Sequence, residues 1–298
     1  MYLSYFGLKI HPFKITPNTR LFYDGGLRAE VLDALIYSIM DGDGIIKITG
    51  EVGSGKTMLS RMLEVRLPDT VEIVYLSHPS LSPDEILHAI ARELNLDTHH
   101  YSNRLAVIHS LQNHLLQQHM NNRQTIVLIE EAQRMPLDTL EEIRLLSNLE
   151  THTSKLLQMI LIGQPELDKK LADPEIRQLK ERIIHSFTLR PLTSDEIGEY
   201  LLCRLNNAGF TGETPFNHSA VKRLHKYSAG LIRRVNVIAD KALLAAYADD
   251  TKTVSAKHVT QAAKDSQIDP LILKEKTLIG AAIGLGAIFI TLLGFLMG

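Results

Sequence analysis

The run Gly50-Glu51-Val52-Gly53-Ser54-Gly55-Lys56-Thr57 combines three glycines, a lysine and a hydroxyl at the spacing of a phosphate-binding loop. Glycine lets the backbone take positive φ, so that successive N–H groups form a concave nest for phosphate oxygens. Lys56 is placed to reach the β- and γ-phosphates, and the Thr57 hydroxyl to ligate Mg²⁺. All eight residues are candidate contacts of a nucleoside triphosphate, with ATP and Mg²⁺ as the expected ligands. The loop follows an apolar, β-branched run and precedes a helical one, whose N-terminal dipole adds to the anion site.

A second constellation, Ile129-Glu130-Glu131-Ala132-Gln133, places two carboxylates directly after a wholly apolar stretch. In a phosphate-loop enzyme one such carboxylate holds Mg²⁺, usually through water, and its neighbour orients the attacking water. Glu130 is read as the magnesium-side residue and Glu131 as the water-polarising one. Aspartate is commoner at the first position. Glu130 keeps the charge on an arm one methylene longer, which bears on metal geometry and turnover.

These groups need elements to hold them. Strand patterns fall at 44–49, 72–76, 125–129, 156–162 and 184–189, alternating with helical patterns at 30–40, from 56, from 83, at 103–120 and at 136–149. That alternation predicts an α/β fold with a parallel five-stranded sheet covered on both faces. From 194 the pattern is helical only, over 194–208, 217–227, 231–247 and 255–263. The expected organisation is a nucleotide-binding α/β domain over 1–192, a small all-α lid over 193–266, a linker over 267–276 and a transmembrane helix over 277–297. The aromatic segment 2–23 is expected to pack over the nucleotide domain. Residues 277–298 carry no charge, and as a helix they reach roughly 30 Å, the thickness of a bilayer's hydrocarbon core. Lys274 and Lys276 precede this run, which by the positive-inside tendency leaves the bulk of the chain in the cytoplasm.

The remaining signals are bland. A formal net charge of -2 gives no global pull toward nucleic acid, and Lys169-Lys170 and Arg233-Arg234 are too short to form a basic stripe. The one cysteine, Cys203, has no intramolecular disulfide partner and reads as a small packed residue. His99, His100, His109, His114 and His119 lack metal-ligand spacing and read as a polar helix surface.

The phosphate loop, Glu130-Glu131-Ala132-Gln133, Leu145-Leu146-Ser147-Asn148-Leu149-Glu150-Thr151, Gly163-Gln164-Pro165-Glu166-Leu167 and Ser228-Ala229-Gly230-Leu231-Ile232-Arg233 follow one another in a distinctive order. In these motifs the chain, over about 2–266, resembles the AAA+ ATPases of the general secretion pathway A type, most nearly those of mannose-sensitive haemagglutinin pilus biogenesis. The resemblance implies a AAA+ P-loop NTPase that hydrolyses ATP. It implies that Gln164 is a sensor between the γ-phosphate and the attacking water. Arg182 would be an arginine finger acting on a neighbouring subunit, with Arg177 as its substitute. Arg233 would be a second sensor on a lid helix, with Arg234 as the alternative; relatives usually carry proline where Ile232 stands. The implied partners are other copies of the chain, pilus or secretion assembly components and the bacterial inner membrane, crossed once; nucleic acid is not expected. Two other readings stay open: a nucleotide-dependent DNA-binding ATPase of the transposition-target type, and a slow ATP-binding switch limited by Glu130.

Overall fold

The computed structural model describes residues 2–42, 44–77, 79–96 and 103–270. Strands β1 (Ile45–Gly50), β2 (Val71–Leu76), β3 (Gln124–Ile129), β4 (Leu157–Gly163) and β5 (Ile183–Leu189) form one sheet in the order β2-β3-β4-β1-β5, and every pairing is parallel. Strand β4 is buried along its whole length and β3 along all but its first residue, as expected where both faces of a parallel sheet are covered. The register sets Thr49 of β1 beside Gly163 of β4 and Ile129 of β3 beside Leu161 of β4. The loop after β1, the turn after β3 and the tip of β4 therefore share one edge, the C-terminal edge where open α/β sheets bind ligands.

The chain opens with a one-turn helix, α1 (Tyr2–Tyr5). Helices α2 (Arg28–Asp41) and α3 (Lys56–Arg66) cover one sheet face, packing Leu32, Leu35, Leu59 and Leu63 on Ile46, Ile48, Ile126 and Ile160. Helices α4 (Pro83–Glu93), α5 (Arg104–Met120) and α6 (Leu137–Leu146) pack with Ile45, Val127, Met159 and Leu161 on the other face. Alternate residues of each strand thus serve opposite layers. Helix α4 begins as its residues dictate, with Pro83 in the first turn and a capping box between Ser82 and Glu85. Helix α6 stops at Leu146, three residues short of the expected 149, and Ser147 Oγ donates to Arg144 O at 2.7 Å. Two five-residue helices, α7 (Glu166–Lys170) and α8 (Arg177–Glu181), lie between β4 and β5.

After β5 come α9 (Ser194–Asn207), α10 (His218–Ser228), α11 (Ile232–Ala248) and α12 (Ala256–Asp265), which share a core around Leu201, Leu205, Leu224, Ile238 and Val259. Phe22 packs against the sheet core as expected, but most of the N-terminal segment departs from expectation. Tyr2, Phe6, Leu8, Phe13 and Tyr23 belong to this helical core and not to the cores that flank the sheet. Edge-to-face contacts fix them there, Tyr5 on Tyr247, Phe13 on Phe216 and Tyr23 on Tyr200. Arg204 donates Nε to Pro12 O at 2.7 Å. The physical reason is size: four short helices expose a large apolar face for their length, and the aromatic segment removes it from water.

Among the described residues no helix is long and apolar enough to cross a membrane. The span expected over 277–297 lies outside the described residues, as do 271–276 of the linker, His99 and His100.

Candidate nucleotide site

The phosphate loop runs from the end of β1 into the first turn of α3. Gly53 (φ 82°) and Gly55 (φ 107°) take the left-handed conformation that glycine is there to permit. Gly50 sits where a Cβ would lie 3.0 Å from Leu189 O, so the loop is pressed onto the end of β5. Lys56 is buried and donates Nζ to Gly50 O at 2.6 Å and to Glu51 O at 3.1 Å. Burial lowers the pKa of its ammonium, opposed by the charges of Glu131 and Glu130. Ser54 Oγ is buried within the loop without a hydrogen-bond partner.

The two adjacent carboxylates diverge. Thr57 Oγ1 donates to Glu130 Oε2 at 3.2 Å and Ser60 Oγ to Glu130 Oε1 at 2.7 Å. Glu131 takes a left-handed φ of 53°, uncommon for a residue with a side chain and costing about 1 kcal/mol or more. The turn aims its carboxylate toward the tip of β4, where Oε2 accepts from Gln133 Nε2 at 2.8 Å and Gln164 Nε2 at 3.1 Å. Gln133 Oε1 in turn accepts from the Gln164 N–H at 3.0 Å. The hydroxyl of Thr57 and the carboxylate of Glu130 form an all-oxygen pair beside the loop, the donor chemistry that suits Mg²⁺. Together with the glycine nest and Lys56, the residues present fit a Mg²⁺-bound triphosphate.

The helical part closes on this loop. Arg233 N–H donates to Gly53 O at 3.1 Å, and a Cβ on Gly53 would lie 2.8 Å from Arg233 Cβ. Arg233, and not Arg234, lines the cavity. Ile232 is the first residue of α11, a position where proline also fits, so its departure from the usual residue leaves the helix start unchanged.

Arg182 is not brought to its own loop. It precedes β5, whose Ile183 pairs with Ile45 while Leu189 pairs with Gly50, so Arg182 lies roughly 20 Å away at the opposite edge of the sheet. Its Nη1 donates to Ser147 Oγ at 2.8 Å. Arg177 is exposed and paired with Glu181 at 2.9 Å.

A cavity of about 470 Å³ extends from the loop between segment 14–17, α9 and α11, a volume that suits a nucleotide-sized ligand. Three buried polar residues of its wall were not singled out from sequence: Arg28, Arg204 and Asn236. Arg28 donates Nη2 to Ser54 O at 3.2 Å, and burial pushes its pKa down. Arg204 Nη1 donates to Tyr200 OH at 3.1 Å, and Tyr200 OH donates to Asn236 Oδ1 at 2.6 Å. Arginines in amphipathic helices read as solvated charges, and only the tertiary packing buries these two. Cys203 is half-buried and free, with its thiol pKa raised by burial, and among the described residues no three or more His, Cys, Asp or Glu side chains gather as a metal-binding group.

The family described as "AAA domain" matches residues 39–171. General secretion pathway protein A of Aeromonas hydrophila is 40% identical over 248 residues, which cover 83% of this chain and 45% of that protein. The chain therefore spans less than half the length of that relative. The fold is similar to that of Cdc6p from Pyrobaculum aerophilum, with a TM-score of 0.67, 19% identity, and coverage of 90% of this chain and 73% of that one. It is also similar to ORC2 of Aeropyrum pernix, with a TM-score of 0.62, 17% identity, and coverage of 86% and 71%. For the RuvB Holliday junction branch migration motor of Thermotoga maritima, the TM-score is 0.55 and the identity 15%, with 82% and 70% covered.

Proposed function

We propose that this chain, an ATPase of the AAA class, hydrolyses ATP with Mg²⁺ in a site completed by a neighbouring copy, and that this cycle supports assembly of a type IV pilus of the mannose-sensitive haemagglutinin kind or of a type II secretion machine. The observation that carries the hydrolytic part is the separation of the two carboxylates: Glu130 turned to Thr57, Glu131 turned to Gln164 and Gln133. One carboxylate serves the cation side and the other the water side of a γ-phosphate seated on the loop.

Mg²⁺, when bound, neutralises phosphate charge and polarises the phosphoryl group. Thr57 and Glu130 would hold it. The N–H groups of the loop and the Lys56 ammonium bind the phosphates, and Lys56 leaves its carbonyl partners at Gly50 and Glu51 to do so. Glu131 orients a water and takes up its proton, while Gln164 keeps the carboxylate and the water in line. Arg233 brings a positive charge to the loop from the lid, and Arg182 does so from a second copy.

The assembly role rests on the likeness to General secretion pathway protein A. Membrane attachment through 277–297 at the bacterial inner membrane, with the bulk cytoplasmic, is part of the same proposal. The likeness to Cdc6p, ORC2 and RuvB concerns the fold and supplies no nucleic-acid partner. In detergent, the full chain is expected to release phosphate from ATP only with Mg²⁺, and Lys56→Ala to release none. Equal rates in the two proteins would sink the hydrolytic reading. Capture from membranes with ATP-loaded Glu131→Gln is expected to recover pilus or secretion components; recovery of this chain alone would remove the assembly part.

A further inference from the structure

We propose that Ser60 is a positioning residue for the cation side of the site, holding one oxygen of Glu130 so that only the other faces Thr57. Ser60 lies three residues beyond Thr57 and four beyond Lys56 on α3, hence on the same helix face as both. It is fully buried. A serine inside a helix ordinarily satisfies itself on the carbonyl four residues back, and Lys56 O stands 3.2 Å from Ser60 Oγ. Glu130 Oε1 is nearer, at 2.7 Å. The hydroxyl has one proton, and the charged acceptor at the shorter distance takes it.

The arrangement answers a problem set by the residue type. Glu130 also accepts from the Tyr75 hydroxyl, but glutamate has one more rotatable bond than aspartate, and without Ser60 its oxygens would share differently between the cation and the Lys56 ammonium. With Oε1 fixed by Ser60, Oε2 is left toward the Thr57 hydroxyl at 3.2 Å. Ser60 touches neither nucleotide nor metal; it acts through Glu130.

The inference rests on the hydrolytic reading, and one measurement separates the two. Affinity of the full chain for a fluorescent ATP analogue is measured in EDTA and in saturating Mg²⁺. Wild type is expected to tighten on adding Mg²⁺; no tightening would sink the hydrolytic reading and the inference with it. Ser60→Ala is expected to lose about tenfold of that tightening, as for removal of a hydrogen bond to a charged acceptor, while its affinity in EDTA and its Tm stay at wild-type values. Tightening equal to wild type, or a matching loss in EDTA accompanied by a lower Tm, would overturn the positioning role. In a Glu130→Gln background, Ser60→Ala is expected to cost nothing more with Mg²⁺, and an additive loss would also overturn it.

Discussion

Gln164 donates its side-chain amide to Glu131 Oε2 across 3.1 Å, so the tip of β4 and the turn after β3 hold one carboxylate between them. The left-handed backbone of Glu131 makes that meeting possible, because it turns this carboxylate away from the one next to it. Strain at a non-glycine residue persists where surrounding contacts over-determine it, and here Gln133 and Gln164 both donate to the strained residue's side chain.

Glu131→Gln is expected to keep ATP affinity within about threefold and to lose at least 100-fold in kcat, the usual scale for removing a general base. Gln164→Ala is expected to lower kcat about tenfold with KM little changed, since it supports Glu131 rather than binding the phosphates. Phosphate release and equilibrium ATP binding measure both. A Gln164→Ala protein whose KM rises while kcat holds would assign Gln164 to substrate binding.

Two glycines separate stability from binding. Gly230 has φ 77°, and a Cβ there would meet the backbone oxygen of Leu192 at 2.2 Å, which cannot swing aside as a side chain could. Gly230→Ala is expected to destabilise by about 3 kcal/mol, from overpacking and the forced positive φ, seen as a lower Tm. Gly53 also has positive φ, but its Cβ would meet Arg233 Cβ at 2.8 Å on the opposing helix. Gly53→Ala is expected to weaken ATP binding at least tenfold through loss of the loop-lid contact, with a smaller change in Tm. Equal losses of Tm in the two variants would contradict this separation.

Much of this site was legible in the sequence because its parts are local. The phosphate loop lies between β1 and α3, the paired glutamates follow β3 and Pro83 opens α4, each where the local pattern put it, although the partners of Glu130 and Glu131 come from far along the chain. The parallel sheet followed from strand runs alternating with helices. What could not be read were the burials that depend on distant partners. Arg28 and Arg204 meet Ser54 and Pro12 across 26 and 192 residues, and no local pattern marks them as cavity walls. The aromatic segment was legible as packed but not as packed on the helical part, since its apolar side chains carry no address. Arg182 was read by resemblance; its position far from its own loop follows only from the β5 register.

The lid's first helix is expected to weaken in acid. Arg190 contacts Glu196 at 2.6 Å, and Thr193 N–H donates to the same carboxylate at 2.8 Å as part of a capping box. The Arg190 contact first, then the Thr193 N–H, hold the carboxyl at about 2, against 4.5 unperturbed. A depressed carboxylate contributes stability that is present above its unfolded pKa and lost as pH falls through the folded value, here between about pH 4.5 and 2. Because the Arg190 side chain is 40% exposed, solvent screening reduces the contribution to about 1 kcal/mol or less. Arg190→Met should lower Tm at pH 6 and lose much less than wild type on acidification. Parallel Tm-against-pH curves for the two proteins would remove the pair from the account.

Arg182 supplies the test of completion between copies. Because it lies at the sheet edge opposite its own phosphate loop, it cannot serve that loop without unfolding β5, so the proposed finger role requires a second copy. Arg182→Ala is expected to reduce kcat about 1,000-fold, the scale of a lost arginine finger, while ATP binding persists. Lys56→Ala fails for the opposite reason: it keeps the finger and loses the loop. Mixed in equal amounts and allowed to exchange, the two inactive proteins form interfaces in which an intact loop meets an intact Arg182. With random neighbours in a closed ring, roughly a quarter of sites are restored. If Arg182 serves only to hold Ser147, the single variant loses Tm, and mixing restores no phosphate release at any ratio.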